Sequence, residues 1–101
     1  METVNAIAKV RFGSARPQRI QLHKGAELVM ELLCLEAGQK IAVNSGCWAY
    51  YVVTGKASVS DGRQSGELAT GQLVAMDPPQ RHTIANAGEG RLVVLAAGHP
   101  G

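Results

Sequence analysis

The sequence predicts an all-β domain, and three observations carry that expectation. Twelve glycines and four prolines interrupt the chain at short intervals, leaving apolar segments of about five to ten residues rather than the longer runs of helices. The segments are rich in Val, Leu and Ile, whose side chains suit a pleated surface. None repeats its apolar residues with the roughly 3.6-residue period of a helix.

Taken in order, a weak strand is expected through KVRF near residue 10, followed by RIQLH (19–23) and ELVMELLCLE (27–36). The second of these contains good helix formers, Glu, Leu and Met. It reads as a strand because Gly25 and Gly38 bracket it and its apolar residues are nearly continuous. WAYYVVTG (48–55), KASVSDG (56–62), QLVAMD (72–77), RHTIANA (81–87) and RLVVLAAG (91–98) complete the set. VTGKASV contains a tight turn at Gly55 and Lys56, and the pair Asp61 and Gly62 favours a type I′ hairpin. Together they suggest a meander of hairpins. About eight to ten strands must bury their apolar faces on one another, as a sandwich or a closed barrel. One domain spans residues 1–101, with loosely held ends at 1–8 and 99–101.

Hydrophobic residues make up 46% of the chain and charged residues 18%, more apolar than a small monomer needs. Part of the excess is expected at a subunit interface, most simply in a homodimer. The ten basic residues are spread along the chain for a formal charge of +2, so no basic stripe tracks a phosphate backbone and nucleic acid is not an expected partner. No segment has the apolar run of a signal peptide or the roughly 18 residues of a membrane span. The expected compartment is the cytoplasm. Cys34 and Cys47 are too few for a disulfide framework and are expected as thiols.

Two stretches carry a resemblance. In GQLVAMDPPQRHTIAN, Gly71 opens the segment, Pro78 and Pro79 turn it, and His82 is followed by Thr-Ile-Ala and Asn86. In LEAGQKIAVNSGCWAYYVVTGKASV, Gly38 and Gly55 frame a strand and turn. On these two parts, residues 20 to 98 or so resemble the cupin family, specifically its small single-domain members. The resemblance implies a double-stranded β-helix, a jelly-roll-like barrel whose open end admits a small ligand. In metal-binding members, two histidines and a Glu from the first part join the histidine of the second around one ion, a donor set that suits transition metals.

Here that set is broken. Counted forward from Gly38, the two histidine positions fall on Asn44 and Gly46; counted back from Gly55, they fall on Ala42 and Asn44, with Trp48 at the Glu position. One imidazole does not hold a transition metal against water, so neither a metal nor another cofactor is expected. Only Cys47 stands near enough in the frame to assist His82, and such a pair would suit copper or zinc; His23 and His99 lie outside the frame.

Alternation from the Glu position sends Trp48, Tyr50 and Val52 inward and Ala49, Tyr51 and Val53 outward. From His82 it turns Ile84 and Asn86 inward, with Met76 or Asp77 approaching from the neighbouring strand. The expected site is an aromatic pocket for a small organic molecule, built from His82, Tyr50, Trp48, Cys47, Met76 and Asn44. Set against it is a barrel simply filled by these side chains. Glu27, Glu31 and Glu36 read as a solvated outer face. Outward Tyr51 and Val53, with LVVLAA, offer a surface to a second copy.

Three functions follow. The leading one is a metal-free binding module in a sensor or accessory role; the others are a metal-dependent oxygenase or isomerase around His82 and a structural barrel with a filled core. No catalytic residue is identified, and whether the chain is an enzyme stays open.

Overall fold

The computed structural model describes residues 1–76 and 80–99. Among the described residues, nine strands follow one short 3-10 turn at Ile7–Lys9: β1 Gln18–Lys24, β2 Val29–Leu35, β3 Lys40–Val43, β4 Cys47–Thr54, β5 Lys56–Ser60, β6 Ser65–Ala69, β7 Leu73–Met76, β8 His82–Asn86 and β9 Leu92–His99. They form a five-stranded sheet in the order β1-β2-β9-β4-β7 and a four-stranded sheet in the order β3-β8-β5-β6. Every described pairing is antiparallel. No helix among the described residues is long and apolar enough to cross a membrane.

Inward side chains from both sheets share one core. Trp48, Tyr50 and Val52 enter it from β4, Ile41 and Val43 from β3, Ile84 from β8, and Leu92, Val94 and Ala96 from β9. A second, smaller core lies on the outer face of the five-stranded sheet. There Ile20, Leu32, Cys34 and Val93 are covered by Ala6, Val10 and Phe12 of the N-terminal arm.

That second core explains why ELVMELLCLE lacks the alternation of a half-exposed strand. Leu33 and Leu35 face the space between the sheets, Leu32 and Cys34 face the arm, and all four are buried. Each fully buried aliphatic side chain of this kind contributes about 1.5–3 kcal/mol. Part of the apolar excess expected at a subunit interface is therefore satisfied within the chain. Burial also pushes the Cys34 thiol above its ordinary pKa, as suits a cysteine acting as a small hydrophobe.

Several expected elements take a different form. KVRF is not a strand: Lys9 closes the 3-10 turn, and Val10 and Phe12 pack onto the outer face as side-chain anchors. The Arg91 guanidinium stacks 4.6 Å from the Phe12 ring centroid. β3 and β6 lie at edges of the four-stranded sheet; one is four residues long and the other, SGELA, is mostly exposed. β6 leaves no apolar signature, and β3 is too short to stand out.

VTGKASV is not a hairpin, because β4 and β5 belong to different sheets and Gly55 carries the chain across. Gly55 adopts φ 105°, and a Cβ there would come within 2.6 Å of the Arg91 carbonyl oxygen. The β5–β6 hairpin at Asp61 and Gly62 does form. Its loop spans residues 61–64, and only Gly62 among them has positive φ, so it is not the two-residue type I′ turn, which needs two such residues. The Asp61 carboxylate instead accepts the backbone N–H groups of Arg63 and Gln64 at 2.9 and 3.0 Å.

Gly98 sets the approach of β9 to β4. It lies opposite Trp48, and an added Cβ would meet the Cys47 carbonyl oxygen and come within 2.8 Å of the indole ring. Glycine lets the strands pair while Trp48 keeps its inward place.

Candidate functional site

His82 is the first residue of β8 and pairs with Val43 of β3. Its side chain is buried, at 2% exposure. Nδ1 lies 2.9 Å from the Gln80 backbone oxygen. A carbonyl only accepts, so Nδ1 carries a proton, and in the neutral ring Nε2 is left as an acceptor. The Tyr50 hydroxyl lies 2.6 Å from Nε2 and donates to it. The proton positions of both groups are fixed by one backbone carbonyl.

Tyr50 stands on β4, in the other sheet, and the bond therefore spans the core. Its ring meets the imidazole edge-on at 5.4 Å between centroids and stacks with Trp48 at 6.3 Å. The Trp48 indole N–H donates to the Ser45 carbonyl oxygen at 3.2 Å. Met76 lies across from Trp48 on β7. Burial, with a smaller contribution from the Glu31 carboxylate against Arg19, pushes the Tyr50 hydroxyl well above the ordinary phenol range.

Asn86, at the other end of β8, has a different task. Its amide nitrogen donates to the carbonyl oxygens of Leu35 at 3.0 Å and Gly90 at 2.8 Å, and its side-chain oxygen accepts the Gly88 N–H at 2.9 Å. It fastens the end of β8 to the end of β2 and shapes the turn into β9. Among the described residues no buried side-chain nitrogen or oxygen lacks a hydrogen-bond partner.

The structure therefore brings His82, Tyr50, Trp48 and Met76 together but leaves two expected members apart. Asn44 is exposed in the turn after β3, because the inward positions of that strand are Ile41 and Val43. Both ways of counting the ligand positions were thus out of phase with the strand. Cys47 is half-buried on β4, opposite His99 and on the alternate face from Trp48 and Tyr50. Asp77, Pro78 and Pro79 lie outside the described residues.

Among the described residues the Tyr50 phenol meets both the imidazole and the indole directly in the space between the sheets. A cleft of about 300 Å³ lies where the edge strands β6 and β7 face each other. Val59, Leu68, Val74 and Met76 form its apolar part, and Asp61, Gln64, Ser65, Glu67 and Gln80 its polar part. Sequence reasoning missed this site. Its signal lay in two edge strands joined by a short turn at Thr70 and Gly71, which leave the barrel unsealed on one side.

The chain shares this architecture with solved structures over nearly its whole length. A protein of Thermus thermophilus superposes with a TM-score of 0.86 at 20% identity, covering 99% of this chain and 98% of its own. An uncharacterized conserved protein with a double-stranded β-helix domain from Klebsiella pneumoniae gives 0.84 at 20% identity, covering 100% and 91%. An RmlC-like cupin protein from Desulfovibrio desulfuricans gives 0.83 at 19% identity, covering 99% and 97%. This is the cupin fold. No family model and no curated protein matches the sequence.

Metal-binding cupins gather their ligands at the position of His82, but the donor set here does not fit a metal. Both imidazole nitrogens are engaged by protein groups, and the facing positions of β3 are Ile41 and Val43. No group of three His, Cys, Asp or Glu able to hold an ion occurs among the described residues.

The burial of Tyr50 sets an alkaline limit on stability. A phenol harder to ionise in the fold than in the unfolded chain adds stability below its ordinary pKa of about 10 and loses it as the pH rises further. In an absorbance titration, one of the two tyrosines should stay un-ionised until the protein unfolds. Tyr50→Phe should lower urea stability at neutral pH by about 1–3 kcal/mol, because it strands the buried Nε2 acceptor. Ionisation of both tyrosines in the native state, or an unchanged Tyr50→Phe protein, would contradict this assignment.

Proposed function

We propose that the protein is a metal-free cupin-fold binding module, acting in the cytoplasm as a sensor or accessory protein, that takes a small organic molecule in the cleft between β6 and β7. The observation that carries this reading is the placement of Met76 and Gln80. Both line the cleft, while Met76 pairs with Trp48 across the strands and the Gln80 carbonyl holds the His82 imidazole. A molecule in the cleft touches the two residues through which the buried aromatic group meets its surroundings.

The cleft has the composition of a ligand site, with an apolar floor and a few fixed polar groups, and its volume lies at the lower end of such sites. Its charged lining residues among those described are Asp61 and Glu67. The backbone bonds from Gln64 and Arg63 lower the Asp61 pKa, and Glu67 pairs with Lys56 at 3.2 Å. Such a lining favours a neutral or cationic molecule over an anion. The reading also includes a homodimer, for which Tyr51 and Leu73, paired and exposed on the outer face of the five-stranded sheet, are the natural contact.

Trp48 is the sole tryptophan and reports on the cleft through Met76. In a panel of small neutral aromatics and amines, at least one compound should shift its emission, and Val74→Phe, which fills the cleft, should abolish the shift. A panel that moves neither the emission nor the amide resonances of Val59, Leu68 and Val74 would defeat the binding reading. Sedimentation at micromolar concentration should give a dimer mass that Tyr51→Lys reduces to a monomer; a monomeric wild type would defeat the dimer.

A further inference from the structure

A hollow of about 370 Å³ lies far from the β6–β7 cleft, between the N-terminal arm and the outer face of β1, β2 and β9. Its walls are aliphatic: Val4 and Ala6 from the arm, and Leu22, Leu28, Met30 and Leu95 from the sheet side. Its two polar lining residues among those described are Glu2 and His23, and they meet each other, with a Glu2 carboxylate oxygen 2.6 Å from the His23 Nδ1. The imidazole lies back over Gly25, where a Cβ would come within 2.9 Å of Nε2. Nδ1 is therefore the nitrogen offered to a carboxylate.

We propose that this hollow is a second binding site, for a small aliphatic carboxylate, and that the Glu2 side chain is its built-in competitor. The arm displays the pattern of such a ligand: a carboxylate on His23, with the hydrocarbon of Val4 and Ala6 beside it. An aliphatic carboxylate supplies both contacts in one molecule. Its anionic head replaces Glu2 as acceptor of the His23 Nδ1 proton, and its chain covers Leu22, Met30 and Leu95 away from water. Displacing Glu2 costs little. Residues 1–5 have no regular structure, and the Glu2 and His23 side chains are 57% and 37% exposed, so their contact is weak. The rest of the arm stays anchored through Ala6, Val10 and Phe12. An alcohol of equal length loses the charge-assisted bond, and an amine offers His23 no anion.

Octanoate, octanol and octylamine are the probes, titrated into the full chain by calorimetry with amide resonances followed in parallel. Octanoate should bind best and shift the resonances of Leu22, Met30 and Leu95. Glu2→Gln should tighten octanoate binding about three- to fivefold, the factor an exposed ion pair is worth, and leave octanol unchanged. His23→Leu should remove the preference for octanoate over octanol. Val74→Phe, which fills the other cleft, should change nothing. The proposal is overturned if Glu2→Gln leaves octanoate affinity unchanged or weaker, or if Val74→Phe abolishes octanoate binding. It is equally overturned if Leu22, Met30 and Leu95 do not respond because a second copy of the chain covers the hollow.

Discussion

The hydrogen bond from the Tyr50 hydroxyl to Nε2 of His82, 2.6 Å long, governs what the interior of this barrel can be. It runs from the five-stranded to the four-stranded sheet through a core otherwise made of aliphatic side chains and one indole. A buried neutral pair of this kind adds only about 0.5–1.5 kcal/mol net, but either partner alone would leave an unsatisfied group costing about 1–3 kcal/mol. The two residues are thus coupled: an inward tyrosine at position 50 is tolerable because His82 accepts its proton, and the histidine because the Gln80 carbonyl sets its tautomer. The His82 imidazole is held at both ends, with Nδ1 on a backbone carbonyl and Nε2 on a phenol.

The proposed recognition sites lie at the edges of the fold. The barrel stays unsealed where β6 and β7 face each other, and the outer face of the larger sheet is shielded by an arm that holds on through a few apolar side chains. Both places combine apolar walls with a small number of charged groups, and both carry carboxylates. In the first they are fixed by the Asp61 turn and Lys56; in the second Glu2 is held by one exposed contact to His23. That difference separates a preformed cleft from a displaceable cover.

The sequence read well where strands bury one face. In β4 and β8 the alternation of Trp48, Tyr50 and Val52 and of His82, Ile84 and Asn86 matches their inward placement, and the spacing of His82 and Asn86 marked the cupin fold. It read less well where burial is two-sided or absent. Leu32 and Leu33 are both buried, on opposite faces, which erases the period of β2, while SGELA in β6 is too exposed to announce itself. Asn44 was misplaced because counting from distant glycines cannot fix a one-residue phase, and one residue turns a side chain from the core to solvent. Pairings between distant segments decide that phase, as Val43 with His82 does here. The hollow under the N-terminal arm was illegible for the same reason, being assembled from segments far apart in the chain, and the β6–β7 cleft because two consecutive strands fall in different sheets.

The central claim is that His82 is held by Gln80 through Nδ1 and by Tyr50 through Nε2, and heteronuclear NMR of the histidine ring nitrogens tests it most directly. At neutral pH the His82 ring should show a protonated Nδ1 and a bare, hydrogen-bonded Nε2, and excess zinc should leave both signals unchanged. A proton on Nε2, or a zinc-dependent displacement of the His82 signals, would contradict the account.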